Sequence, residues 1–149
     1  IALVLHWSLT RVVLAGKHEK KLAIARDQGV PTMALKELVV KKVFDIVVEA
    51  TGSPEGLETA FHYVKPRGVI VLKTTVAEGI NTNLAPIVVD EIHVVGSRCG
   101  PFEPALRSLS EKCIRLGPLI SGIFSFSRAA EAFEKAKEKD SLKVLIDFS

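Results

Sequence analysis

Nucleophiles, bases and metal ligands are the first residues to weigh, and this sequence combines few of them usefully. The cysteines Cys99 and Cys113 and the histidines His6, His18, His62 and His93 stand far apart. The sequence has no Gly-x-Ser-x-Gly elbow, no His-Glu-x-x-His and no Cys-x-x-Cys, so nucleophilic catalysis and metal chemistry lack a signature. His62 closes a helical pattern and His93 lies within a strand pattern, where a structural histidine is the simpler reading. Two cysteines suit small buried residues better than a disulfide framework. Ligand-binding chemistry is legible instead, in three turns that follow apolar runs. These are Ala50-Thr51-Gly52-Ser53, Lys73-Thr74-Thr75 and Gly96-Ser97-Arg98-Cys99-Gly100. Small residues let a flat ring or a ribose approach the backbone, and hydroxyls hold it there. A lysine ending a buried strand must reach solvent or an anion. The same Gly and Ser also suit a plain strand-to-helix turn.

The elements that position these turns are short β-branched runs alternating with helical patterns. Residues 11–15, 44–50, 69–74, 92–96 and 142–148 have the near-continuous Val, Ile and Leu content of parallel strands buried on both faces. Helices are expected over 18–28, 54–64, 103–116 and 127–139 from their caps, first-turn prolines and terminal glycines. The segment 36–43 fits a short helix or a poor strand. This alternation gives right-handed βαβ units and a doubly wound α/β fold, which binds ligands beyond the carboxyl ends of its strands. At 149 residues, 48% hydrophobic and 25% charged, the chain has the composition of a globular domain. The net charge of +3 is spread along the sequence, which gives no support to a nucleic-acid partner. The apolar runs are too short to span a bilayer, so a soluble cytoplasmic protein is expected. The chain opens at Ile1 within an apolar run, which reads as a fragment.

The run FDIVVEATGSPEGLETAFHYVKPRGVIVLKTT, residues 44–75, resembles the medium-chain dehydrogenases, the zinc alcohol dehydrogenase superfamily. EIHVVGSRCG and the closing SFSRAAEAFEKAKEKDSLKVLIDF extend the resemblance to the end of the chain. It implies a Rossmann-like, nicotinamide-dinucleotide domain over residues 1–149, in which the cofactor carries the hydride and the protein orients it. The alcohol or carbonyl substrate would belong to the parent enzyme. The family's first strand and Gly-rich turn have no counterpart here, nor does its catalytic domain, the one that holds zinc in zinc-dependent members. Chemistry by this chain alone is therefore not expected. A missing central strand would cost on the order of 10 kcal/mol, leaving residues 11–15 and 44–50 to pair directly or to expose an edge.

Further implications of the resemblance fall on single residues. NAD-preferring members end their second strand with an acidic residue, and the matching place here is Gly16, followed by Lys17 and His18. A point charge at a helix start suits a 2′-phosphate, so NADP is favoured over NAD; the bland alternative is a charged helix beginning at HEKKL. Thr51 and Gly52 would lie beside the adenosine, Leu72 and Thr74 along the path to nicotinamide, and Ser97 and Cys99 beside its carboxamide. Lys143 matches a basic position near the pyrophosphate, although a strand lysine is more often simply exposed. Residues 81–95 correspond to the region through which relatives join sheet edges, implying a homodimer. The alternative to a cofactor-binding part of an oxidoreductase is a non-catalytic remnant that binds nucleotide weakly or serves as an interaction module.

Overall fold

The computed structural model describes residues 1–149 apart from Leu9, Ala77, Glu78 and Ile80. In chain order its main elements begin with α1 (Ala2–Trp7), β1 (Leu14–Gly16), α2 (Glu19–Arg26) and β2 (Thr32–Ala34). Next come β3 (Phe44–Glu49), α3 (Gly56–Phe61), β4 (Val64–Leu72), α4 (Ala85–Val89) and β5 (His93–Gly96). The chain closes with α5 (Phe102–Ser110), β6 (Ile120–Ser125), α6 (Ala129–Lys137) and β7 (Lys143–Asp147). Among the described residues every strand pair is parallel, in three sheets ordered β1-β2, β3-β4-β5 and β6-β7. The fold is α/β and Rossmann-like, as expected. The residues group into two compact units, one of Ile1–Leu38 with Phe102–Ser149 and the other of Val39–Pro101.

In the unit of Val39–Pro101, α3 turns Leu57, Ala60 and Phe61 onto Val64 and Ile70 of β4 and onto Ile92. Ile70 and Val64 are fully buried. The register places Glu49 beside Leu72 and Leu72 beside Gly96, so three consecutive strands end level with one another. β4 reaches that register through a bulge, because the pairing steps from Phe44↔Val64 to Ile46↔Val69. Lys65-Pro66-Arg67-Gly68 forms this bulge, with Arg67 in the left-handed region at φ +63. A Cβ on Gly68 would stand 2.7 Å from Val64 Cγ2 and 2.9 Å from the carbonyl oxygens of Asp45 and Lys65. Only glycine fits there.

In the other unit, α2 buries Leu22 and Ala25 beside Val30 and lies against β1 and β2. Gly29 ends α2 in the left-handed region at φ +86, and its amide donates to the Arg26 carbonyl at 2.9 Å. α6 packs on β6 and β7, with Ala132 buried.

Several boundaries differ from the sequence reading. The strand expected over 11–15 is β1, Leu14–Gly16, so Gly16 closes the strand rather than following it. The helix expected over 54–64 is only Gly56–Phe61, because Val64 already belongs to β4. α5 stops at Ser110, short of the Gly117-Pro118 signal, and 36–43 is neither helix nor strand beyond the end of a 3-10 turn, Leu35–Glu37. β2 and β6 were not anticipated, since Thr32–Ala34 is too short to carry a period and Gly122 interrupts Ile120–Ser125. The expectation of strands buried on both faces also fails. Every residue of β5 is exposed and Ile46 of β3 is 61% exposed, since no described element covers these surfaces. Within its own unit β3 pairs with β4 alone among the described residues, so it is an edge strand of that sheet.

Candidate functional site

The level register of β3, β4 and β5 brings the three turns singled out in the sequence to one sheet edge. Glu49, the last residue of β3, is only 3% exposed, and its Oε1 accepts from the Thr51 amide at 2.8 Å and the Thr51 hydroxyl at 2.7 Å. Thr51 Oγ1 then accepts from the Ser53 amide at 3.1 Å. Thr74 Oγ1, one turn across the edge, accepts from the Gly52 amide at 3.0 Å, while Gly52 sits in the left-handed region at φ +70. Burial pushes the Glu49 carboxyl up, but the hydroxyls and amides of Thr51 and Thr74 outweigh it and hold the group below the usual carboxylate range. A Cβ on Gly56 would collide with Glu49 and Thr51, so glycine there makes room for the buried carboxylate. Thr51, Gly52 and Thr74 are thus one hydrogen-bonded unit organised by Glu49. Sequence reading missed Glu49, one of two carboxylates in FDIVVEA and not set apart by any period.

Lys73 is half-buried, and its ammonium is held by the turn after β5. Its Nζ donates to the Ser97 carbonyl at 3.1 Å, the Ser97 hydroxyl at 3.3 Å and the Arg98 carbonyl at 3.2 Å. The Ser97 amide donates to the Leu72 carbonyl at 3.0 Å. Cys99 is exposed beyond this anchored turn.

A second strand edge lies in the other unit. The carboxyl ends of β1 and β2, joined at Gly16↔Ala34, open onto a cavity of about 270 Å³ lined by Gly16, Lys17, Ala34, Leu35 and Lys36. Lys17 and Lys36 are exposed, and no carboxylate is among the described residues that line it. His18 is the N-cap of α2, and its carbonyl accepts from the amides of Lys21 and Leu22, both at 3.1 Å. Lys20, on the first turn of α2, pairs with Asp140 at 2.5 Å. The structure therefore gathers Gly16, Lys17 and His18 at one strand end and adds Lys36, which sequence reading missed because its segment had no readable period. Lys143 stands exposed at the start of β7, opposite Ile120, and lines neither this cavity nor the larger one.

That larger cavity, of about 530 Å³, belongs to the Val39–Pro101 unit at the amino ends of its strands. It is lined by Phe61, His62, Asn83 and the Lys42–Asp90 ion pair, among others. Among the described residues no group of three or more His, Cys, Asp or Glu side chains could hold a metal ion. A zinc site therefore does not fit the described residues. No helix among them is long and apolar enough to cross a membrane.

Parallel strands alternating with helices, with turns gathered at their carboxyl ends, are the Rossmann-like class of α/β fold. The chain belongs to the zinc-binding dehydrogenase family, whose model matches residues 1–112. It is a member of the medium-chain, alcohol dehydrogenase-like oxidoreductases. Sorbitol dehydrogenase of Mus musculus is 29% identical over 104 residues, covering 68% of this chain and 29% of that protein. The short chain alcohol dehydrogenase of Escherichia coli CFT073, complexed with NADH, superposes with a TM-score of 0.82 at 21% identity, covering 99% of this chain and 48% of its own. The Sinorhizobium meliloti 1021 protein bound to NADP gives 0.77 at 22% identity, covering 92% and 45%. The chain thus spans less than half the length of the proteins it resembles, and the two solved neighbours share its fold.

Proposed function

We propose that the chain is the cofactor-binding part of an alcohol dehydrogenase-like oxidoreductase that transfers hydride between an alcohol or carbonyl substrate and a nicotinamide cofactor, with NADP preferred over NAD. The observation that carries the preference is the cavity at the ends of β1 and β2, lined by Gly16 and the exposed Lys17 and Lys36, with no carboxylate among its described lining residues. An adenosine ribose bearing a 2′-phosphate finds two cations there, and nothing acidic in the lining to claim the 2′-hydroxyl of NAD. The cofactor, when bound, supplies the hydride acceptor and donor. The chain's own residues bind and orient: Gly16, Lys17 and His18 at the adenosine phosphate, Thr51 and Gly52 beside the adenosine, and Leu72, Thr74, Ser97 and Cys99 toward the nicotinamide. Lys143 is proposed for the pyrophosphate. Residues 1–149 are read as the dinucleotide-binding part, and the catalytic groups are assigned to other parts of the whole protein.

A homodimer through the β5 edge belongs to the same proposal. β5 is the outer strand of its sheet, and Val95 on it and Val88 and Val89 on α4 are 50%, 79% and 78% exposed. The test of cofactor preference is calorimetric titration of the chain with NADPH, NADH, 2′,5′-ADP and 5′-ADP. Tighter binding of both 2′-phosphorylated ligands is expected. Equal affinity within each pair overturns the preference, and no binding of any of the four overturns the reading.

A further inference from the structure

We infer that Lys73 is a positioning residue that presets the amides of Arg98 and Cys99 as a donor pair for the carboxamide of the nicotinamide ring. The inference rests on the cofactor reading above and on the turn after β5. Lys73 Nζ holds the carbonyls of Ser97 and Arg98 at 3.1 and 3.2 Å, fixing two consecutive peptide planes. In a planar trans peptide the N–H points opposite the C=O. The two amides belonging to those planes, Arg98 N–H and Cys99 N–H, are therefore aimed away from Lys73. Neither donates to a backbone acceptor among the described residues, and both residues are exposed. The Ser97 amide, by contrast, is already committed to the Leu72 carbonyl. The turn thus presents two successive, oriented donors beyond the carboxyl end of a parallel strand, the edge where such sheets receive ligands. A carboxamide oxygen is the matching acceptor.

A lysine suits this role because its ammonium has three donors and no acceptor, enough to engage the Ser97 hydroxyl as well, at 3.3 Å. Removing the ammonium frees both peptides to rotate, so that a bound ring must order them, and the loss falls on the nicotinamide end of the ligand alone.

The experiment compares NADPH with 2′,5′-ADP, which lacks the nicotinamide half, on the wild-type chain, Lys73→Met and Lys73→Arg. Lys73→Met is expected to weaken NADPH about tenfold and leave 2′,5′-ADP unchanged, with Lys73→Arg recovering most of the loss. The fluorescence change of the reduced nicotinamide on binding should shrink in Lys73→Met and return in Lys73→Arg. Equal weakening of both ligands would make Lys73 merely structural, and an unchanged NADPH affinity would refute the inference outright. Should Lys73→Met fail to fold, amide exchange on the wild-type chain decides: NADPH must protect Arg98 and Cys99 where 2′,5′-ADP does not, and equal protection overturns the inference. If the wild-type chain binds 2′,5′-ADP while NADPH leaves Arg98 and Cys99 unprotected, only the Lys73 inference fails. If it binds neither ligand, the cofactor reading itself fails.

Discussion

Placing a carboxylate at the end of β1 tests the phosphate site most directly, because Gly16 lines the cavity and its backbone lies in ordinary strand geometry paired with Ala34. Gly16→Asp introduces two perturbations that must be separated. Any Cβ there would stand 3.1 Å from Leu22 Cδ2, so the buried Leu22 side chain must yield by a few tenths of an ångström. Such overpacking costs about 1 kcal/mol of stability. Gly16→Ala carries the same Cβ, so the difference between the two variants isolates the charge. Two like charges about 4 Å apart repel by about 1 kcal/mol in bulk water and about 4 kcal/mol near a protein surface. A middle value of about 2 kcal/mol corresponds to about 30-fold in affinity. NADPH should therefore bind Gly16→Asp about 30-fold more weakly than Gly16→Ala, while NADH, which offers a hydroxyl the new carboxylate can accept, should hold steady or gain. Calorimetric titration at two ionic strengths reads this, and the NADPH penalty should shrink with added salt. An NADPH to NADH ratio identical in Gly16→Ala and Gly16→Asp would refute the assignment of this cavity to the 2′-phosphate.

Further expectations concern the frame that holds the strand ends. Gly68→Ala should destabilise the chain by about 1–3 kcal/mol, because the methyl meets two backbone oxygens that cannot move; a denaturation midpoint equal to wild type would contradict the bulge geometry. Glu49 is held below its usual range, so its contribution is present above about pH 4.5 and is lost as pH falls through the depressed folded-state value. Acid unfolding of Glu49→Gln should accordingly be shallower than that of the wild type, and parallel acid limbs would count against the buried carboxylate. Ile70→Ala should cost about 2–5 kcal/mol, whereas Ile46→Ala, at a position 61% exposed, should stay within about 0.5 kcal/mol, as read by urea melts. For the β5 edge, Val95→Lys should shift sedimentation toward monomer if the homodimer forms there, and an unchanged profile would remove that interface.

What the sequence revealed and what it hid follow from the range of the interactions involved. The Thr51-Gly52 turn, Lys73-Thr74 and Ser97-Arg98-Cys99 were readable because local chemistry at a strand end dictates them: small residues, a left-handed glycine, hydroxyls. That they share an edge depends on the register Glu49↔Leu72↔Gly96, and register is set by a bulge whose only trace is Pro66-Arg67-Gly68, read from the sequence as the link between a helix and the next strand. Burial of Glu49 was invisible for a related reason. A carboxylate in an apolar strand has no periodic signature, and only the fold brings Thr74 and Gly56 to it across more than one element.

Lys73 shows the same limit from the opposite side. Sequence logic offered a terminal lysine two fates, solvent or an anion, and the structure gives it a third: the carbonyls of the neighbouring strand's turn. Peptide dipoles can satisfy an ammonium as a carboxylate does, but they leave its charge uncancelled and their own N–H groups turned outward. A cation satisfied by carbonyls thus changes what the turn presents, from acceptors to donors. The identity of such a residue is visible in the sequence; its consequence depends on which peptide planes the register brings within its reach.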